Sequence, residues 1–473
     1  MTMAARSLSR SEKIKWLILA IALIVLFILP ENDIYTKPVK LFCMITLAGI
    51  YMLATDLIPL FMASIMMPIG YWLFGIVPAT TAFGSWTGQV TWCVLGSLMM
   101  AQIMNKTGLG KRLAFLTLIL TRGNFYLMLA VFLVIGTIVS IFISTAVAKI
   151  ALFGTLVIGM CKTLGWEKDS KHAILLIMAL SIGPSNMSNY CWQTGSGMTI
   201  LLTGSMESAG YPVTWLEWAA YNLVPSVIMM ILQLAVIVLL YRNVDGKNVK
   251  RYSAKETVDY IKTEYQKLGN FSGSELRALL IFSATLILLL TSQYNGLDAG
   301  RIFMLMAILS YIPGFRLLGK EDTKEINFSM VFMIAGCLAI GEVAGELGVG
   351  TILIESIIDY LPTSIIGISI VVFIICFFGN MMMTPMAMVG CLIEPLINIA
   401  TIMDVNPVGL IMIFLHATGA LLFPYETGSE MLLYSFNLVS MKNLIKCYAV
   451  RSVVLFIGLF ICYIPWFTLV GIL

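Results

Sequence analysis

Charge is what this sequence has least of. Only 11% of its 473 residues are Asp, Glu, Lys or Arg, against about 25% in a soluble domain, so most of the chain has no water-facing surface to offer. Histidine is scarcer still. His172 and His416 stand far apart, and there is no HExxH or paired-aspartate motif, which argues against an intramembrane metallohydrolase or a histidine-activated nucleophile. The balance of 29 Lys and Arg against 25 Asp and Glu is nearly even and scattered, which argues against nucleic acid as a partner. The nine cysteines lack metal-ligand or disulfide-framework spacing. Cys43, Cys93, Cys337, Cys376 and Cys391 lie inside apolar runs and read as small core residues. No folded soluble domain is evident either, which disfavours a receptor or assembly scaffold.

What the chain does have is hydrocarbon: 59% of it is hydrophobic and its mean hydropathy is +0.95. Apolar segments of spanning length, roughly 17–25 residues, recur throughout. They fall at 16–29, 39–55, 57–77, 125–142, 146–161, 173–183 and 214–241, then at 277–292, 299–313, 329–350, 363–379, 386–403, 406–423 and 449–472. The spacing predicts an all-α polytopic membrane protein surrounded by lipid. The first run ends at Pro30-Glu31 with no small-residue cleavage site, so it reads as a membrane helix rather than a signal peptide. Arg6, Arg10, Lys13 and Lys15 precede it, which predicts a cytoplasmic N-terminus. A division near Asp56 and Pro59 separates the next two runs.

Residues 242–275 are the one long charged segment. Ser253 to Glu256 has the capping-box pattern, and Val258, Ile261, Tyr265 and Leu268 recur at helical spacing. This predicts an amphipathic surface helix between two halves, cytoplasmic by its Arg242, Lys247, Lys250 and Arg251. The halves repeat. At an offset of 240, Gly96, Leu98, Gly108 and Gly110 meet Gly336, Leu338, Gly348 and Gly350, and Ser140 and Ser144 meet Asn380 and Thr384. Gln193-Thr194-Gly195-Ser196-Gly197-Met198 returns 233 residues later as Glu426-Thr427-Gly428-Ser429-Glu430-Met431. Each copy is a polar break in an apolar run. Broken helices in lipid are tolerated where they are buried or line a cavity, and matched breaks in two halves point to a transporter's binding site.

Trp92 to Arg112, WCVLGSLMMAQIMNKTGLGKR, and Ser329 to Gly350, SMVFMIAGCLAIGEVAGELGVG, resemble the first and second hairpins of the divalent anion:sodium symporter (DASS) family, whose members carry dicarboxylates, citrate and related anions. The resemblance implies two inverted repeats, each with a re-entrant hairpin and broken helices, working as an elevator in a homodimer of the inner membrane. It implies scaffold helices at 1–80 and 205–325, with transport-domain repeats at 81–204 and 326–473. The interrupted stretch 84–105 is the expected first hairpin. The family's Ser-Asn-Thr motif reads here Ser144-Thr145-Ala146 and Thr384-Pro385-Met386, and its Thr-Pro-Pro motif reads Thr194-Gly195-Ser196 and Thr427-Gly428-Ser429. The leading hydroxyls remain; the asparagines, and the threonines after them, do not.

Helix N-termini and short hydroxyl side chains suit an anion, and carbonyls freed at helix ends suit a cation. The candidate substrate residues are therefore Ser144, Thr145, Thr194, Gly195, Ser196, Thr384, Thr427, Gly428 and Ser429. No cofactor is expected beyond sodium or a proton as coupling ion, with Ser140, Lys149, Asn380, Glu426 and Glu430 as candidates. The Lys149 ammonium either occupies a cation site, replacing a coupled sodium ion or holding a substrate carboxylate, or it snorkels to water or pairs with a carboxylate such as Glu394. Glu426 and Glu430 carry a proton, bind a cation or a substrate amino group, or else point into water or cap nearby N–H groups. A small organic anion leads as the substrate, and a zwitterionic solute is the alternative. His416 reads as a packed, hydrogen-bonded histidine.

Overall fold

The computed structural model describes residues 9–32, 35–55, 57–242, 253–349, 362 and 364–473. Arg6, Asp56, Lys247, Lys250, Arg251 and Gly350, used in the sequence readings, lie outside them. Every regular element among the described residues is helical, as a chain in hydrocarbon requires when each backbone group must be paired within its own segment. Seven of the described helices are long and apolar enough to cross a membrane, including Trp215–Leu240 and Met441–Leu469. Large side chains such as Leu239, Leu290, Ile461 and Leu469 point outward, where lipid replaces water.

The first repeat element differs from expectation. Residues 84–105 do not form a hairpin. A single 3₁₀ turn, Gly84–Trp86, leads into one continuous helix, Gln89–Thr107. Its polar residues Thr91 and Ser97 are buried against protein, so they need no break to hide them. The counterpart, Phe328–Leu347, is likewise continuous. Both helices end on a left-handed glycine, Gly108 at φ 75° and Gly348 at φ 66°.

The hairpin geometry lies further along, after the helix Leu109–Leu120. Phe125–Ser140 and Ala146–Leu164 are joined by residues 141–145. The Phe132 and Phe153 rings, nearly equidistant from that turn, sit 6.2 Å apart, so the second helix folds back on the first. At a rise of about 1.5 Å per residue the 16-residue arm is roughly 24 Å long, short of a hydrocarbon core of about 30 Å. In the second half, Ile365–Met382 and Pro385–Ile402 meet at Met383-Thr384, and Met388 folds back against Gly379.

Each hairpin is followed by a broken helix. Lys171–Leu180 continues through a π-helical turn, Ser181–Met187, to Tyr190, stops, and restarts as Gly197–Ser208. Pro184 lies within the wide turn, where its missing N–H and its ring disturb the ordinary ladder. Pro407–Ala417 stops in the same way and restarts as Gly428–Ser435.

Packing between the halves is reciprocal. Gln89–Thr107 lies along Ala299–Leu309, and Leu60–Leu73 lies along Phe328–Leu347, so the 240-residue offset carries one pair into the other. Both contacts close on a glycine. A Cβ on Gly96 would sit 2.9 Å from the Met304 backbone nitrogen, and one on Gly336 would sit 2.4 Å from the Ser64 carbonyl oxygen. Helices 37–55, 60–73 and 328–347 share a small core of their own, around Phe42, Met67, Tyr71 and Val343. The hairpins, the broken helices and the spans 215–240 and 441–469 share the large one with Gln89–Thr107, Gly273–Leu290, Ala299–Leu309 and part of Phe328–Leu347.

The amphipathic helix forms as Ala254–Lys267, capped by Ser253. Its inner face, Thr257 and Ile261, is buried on Leu109–Leu120 and Ala146–Leu164, so this face covers protein. Arg112 fastens the following turn by donating to Glu275 and to the carbonyls of Leu268, Gly269 and Asn270.

Candidate functional site

The two hairpin turns and the two helix breaks surround one cavity of about 590 Å³. Its wall contains the first residues of four helices: Ala146 after Thr145, Gly197 after Ser196, Pro385 after Thr384, and Gly428 after Thr427. The four helices run 19, 12, 18 and 8 residues. The sequence explains each start. Ser196 accepts from the Thr199 N–H at 3.1 Å, Thr384 from Ala387 at 3.3 Å and Thr427 from Glu430 at 3.3 Å, while Pro385 has no N–H to leave unpaired at the first position. Thr145 makes no such cap. A capped helix still presents unpaired N–H groups in its first turn, and each end carries about half a positive charge.

The candidate residues divide. Ser144, Thr145, Ser196, Thr384, Thr427, Gly428, Ser429 and Glu430 line the cavity; Thr194, Gly195, Ser140, Lys149, Asn380 and Glu426 do not. Thr194 is fully buried. It donates to the Ile141 carbonyl at 2.9 Å and accepts from Trp215 Nε1 at 3.4 Å, pinning the break to the first hairpin turn. A Cβ on Gly195 would meet the Asn189 carbonyl oxygen at 2.2 Å, so only glycine fits that bend. Glu426 bends back to accept the N–H groups of Leu422 and Phe423, the capping alternative. His416 bonds Asn222 through Nε2 at 2.9 Å and stacks on Tyr463.

Glu430 is fully buried yet reaches the cavity. Ser181, Ser185 and Tyr448 donate to its carboxylate at 2.6–2.9 Å. Arg451 donates to Ser181 Oγ at 2.5 Å and to Gln233 at 3.2 Å, so the guanidinium compensates Glu430 through one shared hydroxyl. Ser181, Ser185 and Asn189 are four residues apart and occupy one face of the widened helix. Ser185 also reaches Ser429 at 2.8 Å, linking the first broken helix to the second break.

Several wall residues escaped the sequence reading. Asn186, Asn189 and Gln102 line the cavity. Both amide ends of Gln102, and Asn186 Oδ1, are buried with no hydrogen-bond partner, which is how side chains aimed at a ligand look when alone. The four-residue spacing Ser181, Ser185, Asn189 was the available signal; nothing in the sequence marked Gln102.

Lys149 is fully buried behind this wall. Its Nζ donates to Ser140 Oγ at 2.8 Å, to the Gly195 carbonyl at 3.1 Å and to Asn189 Oδ1. No ion pair among the described residues involves it. Glu394, the alternative partner, is absent from these contacts; its carboxylate lies beside Gly341. A sodium ion needs several free oxygens at 2.3–2.6 Å or thereabouts, as hard cations do. The oxygens here are already taken by the ammonium, so the residues do not fit a bound sodium at this break.

Comparison with known proteins finds membrane transporters. The profile described as the sodium:sulfate symporter transmembrane region matches residues 10–473. An L-tartrate/succinate antiporter of Escherichia coli (strain K12) is 22% identical over 408 residues, covering 82% of this chain and 80% of that protein. Its namesake in Shigella sonnei is 22% identical over 409 residues, with the same coverage of 82% and 80%. An uncharacterized transporter of Haemophilus influenzae is 21% identical over 392 residues, covering 81% and 82%.

Proposed function

Because this chain belongs to the sodium:sulfate symporter transmembrane region family, we propose that it is a secondary transporter that exchanges small dicarboxylates across the cytoplasmic membrane. The observation that carries the reading is the meeting of four helix N-termini on one cavity. Each contributes about half a charge, so together they offer roughly two positive charges, the complement of a dianion. The N–H groups and the hydroxyls of Ser196, Thr384, Thr427 and Ser429 replace the water that the carboxylates leave behind. Low polarizability around the cavity makes that attraction stronger than in water. The names of the antiporter relatives support a dicarboxylate and exchange rather than net uptake.

In this reading the moving unit is 125–240 with 365–469, the two hairpins, broken helices and their flanking spans, whose core continues into Gln89–Thr107, Ala299–Leu309 and Phe328–Leu347. Gln89–Thr107 and Phe328–Leu347 stay with the static helices they pack on, so the boundaries shift from those at 81 and 326. The reading includes inverted repeats, elevator movement, and a cytoplasmic N-terminus marked by Arg10, Lys13 and Lys15. It also includes a homodimer, for which the family resemblance alone speaks.

Counterflow tests it. Proteoliposomes preloaded with succinate should accumulate labelled external succinate or L-tartrate, and empty ones should not. Equal accumulation in both, or none in either across a panel of di- and tricarboxylates, would defeat the proposal. Glu430 at the cavity wall favours a second reading, in which the substrate also carries an ammonium. Competition by an acidic amino acid that disappears in Glu430→Gln, with succinate transport retained, would favour it.

A further inference from the structure

We infer that the Lys149 ammonium is a built-in cation that fills the oxygen cage of the first helix break permanently, so that no sodium ion binds there. The inference rests on the transporter reading only in giving the cage a role in coupling; the cage itself is independent of the substrate.

Three observations lead to it. All three partners of Nζ are fixed as acceptors. Ser140 spends its own proton on the Gly136 carbonyl at 2.7 Å. Asn189 is oriented by its Nδ2, which donates to the Ser185 carbonyl at 2.7 Å, so its Oδ1 faces the lysine. The Gly195 carbonyl can only accept. An –NH₃⁺ group has three donors and no acceptor, whereas a neutral amine would turn its lone pair on one of these oxygens. The geometry therefore selects the charged form.

Next, the cage holds no carboxylate. A salt-bridging lysine would have brought a carboxylate within 4 Å, and none of the ion pairs among the described residues includes Lys149. A hydroxyl, an amide oxygen and a carbonyl released by a broken helix are instead the neutral oxygen donors that suit an alkali ion at such a break. The cage belongs to three segments at once, through Ser140 of the hairpin arm, Asn189 of the first half-helix and Gly195 of the break. A charge at this point holds together the parts that shape the cavity.

Finally, the second half solves the same problem without a charge. Val389 stands 240 residues after Lys149. There Asn380, the counterpart of Ser140, donates its Nδ2 to the Thr418 and Ala420 carbonyls at 3.0 and 2.9 Å. In both halves a nitrogen of the chain itself occupies the freed oxygens, but only the first supplies a full positive charge.

The experiment is thermal unfolding of purified protein in detergent, in sodium chloride against choline chloride at equal ionic strength, with no substrate present. Lys149→Ser empties the cage and adds a hydroxyl. It should gain a saturable, sodium-specific rise in melting midpoint of several degrees beyond that of the wild type. Equal sodium responses in the two proteins would overturn the inference and leave the dicarboxylate reading untouched, because no transport is measured. Should Lys149→Ser fail to fold in either salt, Lys149→Met decides. Methionine fills similar space without charge, so a midpoint at or above that of wild type overturns the inference, and a midpoint several degrees lower supports it.

Discussion

Thr194 and Ser196 are two residues apart and face opposite ways, and the difference decides what each substitution does. Thr194 bonds the hairpin turn and Trp215 inside the protein. Thr194→Val leaves the Ile141 carbonyl unpaired and should cost about 1–3 kcal/mol of stability, with succinate affinity in the surviving protein unchanged, read by melting and by binding titration. Gln102 presents the reverse case. Its amide is buried at the cavity without a partner, so Gln102→Leu should melt no lower than wild type yet bind succinate at least several-fold more weakly. The sequence revealed the hydroxyl-glycine motifs because they recur and interrupt apolar runs. It did not reveal which hydroxyl turns inward, since that depends on the φ and ψ of one bend. Gln102 sits among apolar neighbours on a long helix, and only the approach of the other half turns its position into a cavity wall.

At the scale of elements, the apolar runs were legible because a helix in lipid must be long and apolar, and the described helices follow those runs closely. The hairpins lie further along the chain than expected. Gly84, Ser85, Thr87, Gly88 and Gln89 suggested a hairpin over 84–105, but they form only a 3₁₀ turn and the start of one helix, whose later polar residues Thr91 and Ser97 are covered by packing. The glycines inside the helices have a different cause. Gly96 and Gly336 let two helices touch at the backbone, which small residues permit in membranes. Gly336→Ala should therefore destabilise, because the new methyl would stand 2.4 Å from a backbone oxygen that cannot retreat alone. Gly345→Ala in the same helix, with nothing within 4 Å, should be neutral or gain about 0.5–1 kcal/mol from helix propensity. Melting of the two variants side by side checks the pair.

Over the whole molecule, the proposed moving unit would meet the static helices along Gln89–Thr107 and Gly197–Ser208, which pack on each other. Val90 and Gly204 face each other there; a Cβ on Gly204 would lie 2.7 Å from Val90 Cγ2. With Cys43, Cys391 and Cys462, the partly accessible cysteines, replaced, a Val90→Cys/Gly204→Cys pair should cross-link on oxidation. The cross-link should stop exchange while leaving succinate binding intact, and reductant should restore exchange. Continued exchange in fully cross-linked protein would show that these bodies do not slide. The matched pairs of helices were foreshadowed by the 240-residue offset, but which helix lies against which follows from packing partners that no sequence spacing names.

The cavity's preference for negative charge is the claim on which the rest depends. Titration of the purified protein with succinate and with its uncharged diamide, succinamide, tests it most directly, because the two are nearly alike in size and hydrogen-bonding reach. The four converging helix ends predict saturable binding of succinate at least tenfold tighter than of succinamide. Equal affinity for the two, or binding of the diamide alone, would contradict it.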